Sequence, residues 1–538
     1  MNYYVLDNEN NAYFNEDFDI FPTCKYDASS FEGQPCGLAV NVDVDKKRMQ
    51  VVDTESNTMI VASTGACKTR RCVFPYILSC IHSGRSMIIH DPKGELYKFS
   101  GPTLDKKGYK KIVLNLRDLK KGERYNIFQN PAKEYQQGNK DRGIEMLKAN
   151  INTIMAKYHS PEDPFWEFSA GTYLLFLALL ACNIYSYEDV TIENIFKLHV
   201  EGNEKYGAGT RFSRFFDNHK DSMLYRLGSL TLEAPNDTKR SIYSILVQAL
   251  SDFVLNDALC DMTYNSTFDI REIIDNKVAV FIITRDEASV HNALVTSMID
   301  QFYTILIDEA HEKYNGCLPG RIEFILDEFA NMGKVKIENM ISAARSRNIR
   351  FLFCIQSVEQ LSLVYGKEIA KVILDNCDNT IYLHSSNMET LNIISNRIGD
   401  KTVNDIIKGP LVSTNKLQYL KKGEAIMLLN RVRPFFVQLP DASMYDVDFY
   451  DSIELEQRSP QKRKSTNFAE VLEGGWDRVF ESPIKEDDKT SEPESKKEEA
   501  DEKKSDDSNT SQDVLKDSRG IFGNVNKAVQ EDIRWRED

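Results

Sequence analysis

The sequence is short of the residues that build covalent staples and metal centres. Its ten cysteines form no Cys-x-x-Cys pair, and its eight histidines show no His-x-His or His-x3-His spacing. Neither a disulfide framework nor a zinc site is encoded by such a pattern. Cys182 and Cys354 lie inside apolar runs, where a thiol acts as a small hydrophobe, and reduced cytoplasmic thiols are expected. No apolar run approaches the roughly 20 residues of a membrane-spanning helix. The longest, Leu174 to Cys182, predicts a buried helix. The start, Met1-Asn2-Tyr3-Tyr4, has no basic stretch leading into an apolar one, as a secretory leader needs. Surplus positive charge is missing too: the formal net charge is −15. That argues against a general nucleic-acid coat, because phosphate neutralisation needs clustered Lys and Arg, but not against a channel with local basic loops. The expectation is a cytoplasmic chain, peripheral at the cytoplasmic face of the plasma membrane and brought there by partners.

What is present is a core. Of 538 residues, 41% are hydrophobic and 28% charged, enough for one large domain with an insertion or two domains and a tail. Residues 1–34 predict an N-terminal extension. Within 35–130, short apolar runs at Thr58–Ala62, Ser86–His90 and Lys111–Asn115 alternate with helical stretches, the pattern of a parallel α/β sheet. Residues 131–265 have helical texture, including Ile242, Ile245, Leu246, Ala249, Leu250 and Phe253 at helical spacing. They predict an all-α insertion. Strands resume over 266–458, at Val278–Thr284, Glu323–Leu326, Arg350–Ile355, Thr380–Leu383 and Glu424–Leu429. Residues 459–538 carry 15 basic and 21 acidic side chains among Ser, Thr and Pro. That composition predicts a disordered tail, with two apolar islands, 468–480 and 521–535, that could be binding helices or chance.

The strongest local motif is Ala62-Ser63-Thr64-Gly65-Ala66-Cys67-Lys68-Thr69, between a strand and a helix. A phosphate-binding loop belongs there: backbone N–H groups wrap the phosphates and the helix N-terminus adds partial positive charge. Thr64, Gly65, Ala66, Cys67, Lys68, Thr69 and Arg70 are the candidate nucleotide-binding residues. Lys68 would reach the β- and γ-phosphates and the Thr69 hydroxyl would bind Mg²⁺. Ala62 and Cys67 stand where the GxxxxGK pattern has glycines. Cys67 matters more, because a Cβ enters where the backbone must approach phosphate.

A second motif completes the chemistry. The strand Glu323–Leu326 ends in Asp327-Glu328, a carboxylate for Mg²⁺ followed by one that polarises the attacking water. Asp308-Glu309 also follows an apolar run but reads better as a helix end. Gln356 ends another strand, where polar residues face the ligand crevice, so it is either a γ-phosphate sensor or a strand cap. Arg345 follows an Ala-rich helical stretch. It is either an arginine finger offered to a neighbouring subunit or a solvated helix charge.

Taken in order, Ser63–Arg71, Ser86-Met87-Ile88-Ile89-His90-Asp91-Pro92-Lys93-Gly94-Glu95-Leu96-Tyr97, Pro164-Phe165-Trp166-Glu167, Ile325–Gly333, Ala344-Arg345-Ser346-Arg347, Gln356-Ser357 and Leu374–Asp378 resemble the coupling proteins of type IV secretion systems, the conjugative DNA-transfer ATPases. The resemblance covers roughly residues 35–450. It implies a RecA-like P-loop NTPase domain with a mainly parallel sheet, interrupted by an all-α domain. It implies ATP and Mg²⁺ as cofactors and a homohexamer acting on single- or double-stranded DNA. It also implies a relaxase or relaxosome as cargo and membrane channel components as partners; the tail, by its apolar islands, could bind another protein. It places phosphate binding on Lys68 and Thr69, Mg²⁺ and water activation on Asp327 and Glu328, sensing on Gln356 and a finger in trans on Arg345. Two further readings stand beside an active motor. One is an adaptor of the same fold with weak or absent turnover, motivated by Cys67. The other is a chromosome-segregation pump, opposed by the helical insertion and Asp-Pro-Lys-Gly-Glu.

Overall fold

Uninterrupted apolar runs, rather than alternating ones, mark strands covered on both faces, and the centre of this protein is built from them. The computed structural model describes residues 12–26, 31, 33–160, 162–217, 219–285, 291–403, 407–445, 454–464, 467, 468 and 470. A small antiparallel sheet leads the chain: β1 (Thr23–Lys25), β2 (Leu38–Asp43) and β3 (Arg48–Val52). The main sheet comprises β4 (Thr58–Ala62), β5 (Ser86–Asp91), β6 (Lys110–Asn115), β9 (Val278–Ile283), β10 (Ile322–Leu326), β11 (Ile349–Ile355), β12 (Asn379–His384), β15 (Glu424–Leu428) and β16 (Phe435–Gln438). Two short hairpins, β7 (Lys205–Tyr206) with β8 (Gly209–Thr210) and β13 (Asp400–Val403) with β14 (Ile407–Pro410), lie outside it.

The nine strands run in the order β16-β15-β12-β4-β11-β10-β5-β9-β6. All neighbours from β12 to β6 are parallel, and β15 and β16 join antiparallel at one edge. Every residue of β4, β5, β9, β10 and β11 is buried. The chain leaves β4 for β5 past two intervening strands, so their C-terminal ends open a crevice of the kind that holds ligands in doubly wound sheets. The expected mainly parallel α/β sheet is found, with boundaries shifted by a residue or two. Sequence periodicity did not single out β16, the antiparallel edge.

Between β6 and β9 the chain is helical, as expected, apart from the β7–β8 hairpin. Its central helix, Phe165–Ile184, is by length and composition the one described helix apolar enough to cross a membrane. Leu174 to Cys182 are all buried in the protein core, the outcome expected from sequence. Asp308 and Glu309 lie within the helix Asn292–Lys313, paired with Arg142 and with Arg271 and Lys313 respectively. That is the structural role preferred for them. The segment from 459 onward was expected to lack structure; its described residues, 459–464, 467, 468 and 470, lie along the helical region. Residues 471–538, including most of both apolar islands, fall outside the described residues.

Candidate functional site

The loop after β4 turns sharply because two residues take left-handed backbone conformations. Gly65 has φ +84°, and an added Cβ there would meet nothing within 4 Å. Cys67 has φ +63°, which a side chain adopts at a cost of about 1–2 kcal/mol. The position that the glycine pattern reserves for free rotation therefore keeps its conformation despite the Cβ. Ser63 N–H donates to the His384 carbonyl at 2.9 Å, and its hydroxyl meets His384 Nδ1 at 2.6 Å, anchoring the loop to β12. The next turn, Thr69–Val73, is wider than an α-helix and runs into the helix Phe74–His82. We expect Cys67→Gly to stabilise the protein by about 1 kcal/mol and Gly65→Ala to destabilise it by a similar amount, since each exchanges a side chain at positive φ. Denaturant midpoints measure both; a loss of stability in Cys67→Gly would contradict the assignment.

The acidic pair sits directly opposite. Asp327 follows β10, and Glu328 is held at φ +51°, a strained conformation of the sort that clusters at working sites. Lys68 Nζ lies 3.2 Å from Asp327 Oδ1 and also donates to Glu328 Oε1. Gln356 Nε2 donates to Glu328 Oε2 at 3.0 Å, and Thr64 Oγ1 to Gln356 Oε1 at 3.4 Å. His90, on β5, pins the turn from beneath: its Nδ1 is 2.6 Å from the Asp327 carbonyl, and its Nε2 3.2 Å from Thr284 Oγ1. Because a carbonyl only accepts, Nδ1 carries the proton.

Electrostatics follow from this packing. Burial alone would push the Lys68 ammonium down, but Asp327 and Glu328 outweigh it and hold its pKa above the ordinary value. Burial would raise the Glu328 carboxyl; Lys68 and Gln356 prevail and lower it. Asp91, at the end of β5, is pushed up to about 7 by burial, against hydrogen bonds from the backbone of Tyr97 and Leu96. These groups line one cleft of about 200 Å³, open to solvent, together with Thr69, Lys93 and Glu95. Left-handed loop, buried ammonium, helix start and paired carboxylates are the parts a nucleotide triphosphate and its divalent ion require. Gly65, with open space where a Cβ would point, leaves the loop free to approach phosphate.

Thr64, Gly65, Cys67, Lys68, Thr69, Arg70, Asp327 and Glu328 all border that cleft. Ala66 faces a neighbouring hollow beside His384, and Gln356 joins through Glu328. Arg70 is otherwise engaged: its guanidinium pairs with Asp441 at 2.5 Å, and these hydrogen bonds hold Asp441 well below the usual carboxylate range. Arg345 is not brought to the cleft. It precedes β11 while Gln356 follows it, so the two lie at opposite ends of a seven-residue strand, roughly 20 Å apart. Arg345 is exposed there, 3.1 Å from Glu55. Asp91 belongs to the Asp-Pro-Lys-Gly-Glu run, and only the structure brings it to the cleft. His90 lies in the same matching stretch, but its role there depends on a partner distant in sequence; His384 and Asp441 carry no recognisable signal, for the same reason.

Comparisons with known proteins agree with this fold. The family model for type IV secretory system conjugative DNA transfer matches residues 31–416. Protein VirD4 of Agrobacterium fabrum is 27% identical over 361 residues, 65% of this chain and 50% of the relative. Conjugal transfer protein TraG of the same organism is 22% identical over 354 residues, 65% of this chain and 51% of the relative. The chain thus spans about half the length of these curated relatives. Among solved structures, the unbound bacterial conjugative coupling protein TrwBdeltaN70 superimposes with a TM-score of 0.58 at 16% identity, covering 78% of this chain and 92% of that one. Plasmid coupling protein TrwB in complex with the non-hydrolysable ATP analogue ADPNP gives 0.55 at 18% identity, covering 78% and 91%. At these identities the likeness establishes the fold.

Proposed function

The chain belongs to the type IV secretory system conjugative DNA transfer family, and from that premise we propose that it is the coupling ATPase of a secretion or conjugation system. In this reading it recruits a DNA–relaxase substrate and drives transfer by hydrolysing ATP with Mg²⁺. The observation that carries the reading is the Lys68 ammonium held between Asp327 and Glu328, beside a left-handed loop, at the C-terminal ends of a parallel sheet. Lys68 binds phosphate, with backbone N–H groups of Thr64 to Thr69 around it. Thr69 and Asp327 would hold the Mg²⁺, which would supply neutralisation of phosphate charge. Glu328 accepts a proton from the attacking water, and Gln356 keeps the Glu328 carboxylate oriented. Structures of the relative TrwB with ADPNP, and with ADP and Mg²⁺, support this choice of ligands.

The adaptor reading rested on Cys67. Against it, Cys67 already follows the left-handed path that a glycine would take, so the loop is not diverted. A homohexamer, DNA of either strandedness, a relaxase and membrane channel components complete the proposal, with the protein peripheral at the cytoplasmic face of the membrane. The test is steady-state ATP hydrolysis by the purified chain with single-stranded, double-stranded or no DNA. DNA is expected to stimulate turnover. Glu328→Gln is expected to lower it about 10³-fold, in the range of a lost general base, while nucleotide binding persists. DNA-independent, Glu328-independent phosphate release would sink the proposal.

A further inference from the structure

The segment that begins the acidic tail is seated in a groove. Arg458 donates to the carbonyls of Gly122 at 3.1 Å and Glu123 at 2.8 Å and pairs with Asp261. Five residues on, Arg463 reaches Asp257 and Glu193, each at 3.1 Å. Lys464 meets Asp189 at 3.0 Å. Phe468 then disappears into the helical region: it is fully buried, its ring centroid 5.5 Å from that of Phe212 and 5.2 Å from that of Phe215. Its backbone N–H donates to Glu201 at 2.7 Å. Gly202 makes the pocket possible, because a Cβ there would fall 2.1 Å from the Phe212 ring.

The groove and its occupant are complementary in two independent ways. Four carboxylates of the helical region meet three basic side chains, and an aromatic pocket meets one ring. Exposed ion pairs contribute little by themselves; a buried aromatic anchor framed by charges is how peptides are gripped specifically. The segment is joined to the folded core at 458 and to 68 further residues beyond 470, so it can leave the groove without unravelling the sheet.

We propose that this face of the helical region is a peptide-docking site for a segment of the pattern Arg-Lys-x3-Phe, occupied in cis by Arg458, Arg463, Lys464 and Phe468. The strap straddles the loop after β6 and the helical region, tying the two together and fixing where the tail emerges. Its release exposes the aromatic pocket.

Two measurements on the full-length chain test this. Trypsin should cut at Lys462, Arg463 and Lys464 at least 10-fold more slowly in the wild type than in Phe468→Asp or in Glu193→Lys/Asp257→Lys. That protection should not depend on protein concentration. Equal rates would overturn the proposal, and protection that fades on dilution would overturn the cis assignment by marking a segment from a second copy. Fluorescence anisotropy of a labelled synthetic peptide covering residues 456–470 should show at least 10-fold tighter binding to Arg463→Glu/Lys464→Glu/Phe468→Ser, whose own strap is weakened, than to wild type. Absent binding, or equal binding to both, would contradict it.

Discussion

Lys68→Ala is expected to abolish nucleotide binding and turnover and also to weaken the empty protein. The first effect follows from losing the cation aimed at the phosphates. The second follows from burial. The Lys68 side chain is 10% exposed, and those of Asp327 and Glu328 are 8% and 18% exposed, so removing the ammonium leaves two facing carboxylates without a counter-charge. Breaking such a pair costs about 3–5 kcal/mol. The pH dependence has a definite sign. The pKa of Glu328 is lowered in the folded protein, so its stabilisation is present above the unfolded carboxylate value, about 4.3, and is lost as pH falls through the folded value. That of Lys68 is raised, so its share is present below about 10.4 and is lost as pH rises through the folded value. In Lys68→Ala, only Gln356 and Lys93 oppose burial at Glu328, so its carboxyl rises from its wild-type position. The variant's thermal deficit should therefore be largest near neutral pH and narrow as pH falls below about 4.3. A deficit independent of pH would place the carboxylates elsewhere.

Arg345→Ala is expected to lower DNA-stimulated ATP turnover at least 10³-fold, the range of a lost arginine finger, while nucleotide affinity is retained. The geometry makes this a prediction about neighbours. Arg345 stands at the opposite end of β11 from the cleft of its own chain, so a finger role would require a cleft brought to it by another copy. Arg350 donates to the Arg345 carbonyl at 3.1 Å and secures the turn that presents the side chain. Mixing Arg345→Ala with Glu328→Gln subunits should restore part of the turnover, because some interfaces then pair an intact finger with an intact base. No recovery on mixing would reduce Arg345 to the solvated helix charge that the sequence left open.

Much of the site was legible because its parts are local. A strand, a turn and a lysine lie within a dozen residues at Thr58–Thr69, and β10 delivers Asp327-Glu328 as its direct continuation. The helix assignment of Asp308-Glu309 was legible for the same reason. What stayed hidden depends on distance along the chain. The hydrogen bond from His90 to the Asp327 carbonyl spans 237 positions and the Arg70–Asp441 pair 371, and neither leaves a trace in composition or period. The strap escaped for a different reason. Averaged over residues 459–538, polarity predicts no fold, but one phenylalanine and three basic side chains suffice where a groove already exists. The left-handed path of Cys67 was likewise invisible, since only backbone angles distinguish a tolerated Cβ from a disruptive one.

The central claim is that Lys68, Thr69, Asp327 and Glu328 form one nucleotide site. Calorimetric titration of the full-length protein with Mg²⁺ and a non-hydrolysable ATP analogue tests it most directly. One analogue bound per chain in the wild type, in Glu328→Gln and in Arg345→Ala, with no heat in Lys68→Ala, is the expected result. Absence of binding in the wild type, or binding that survives Lys68→Ala unchanged, would contradict the account.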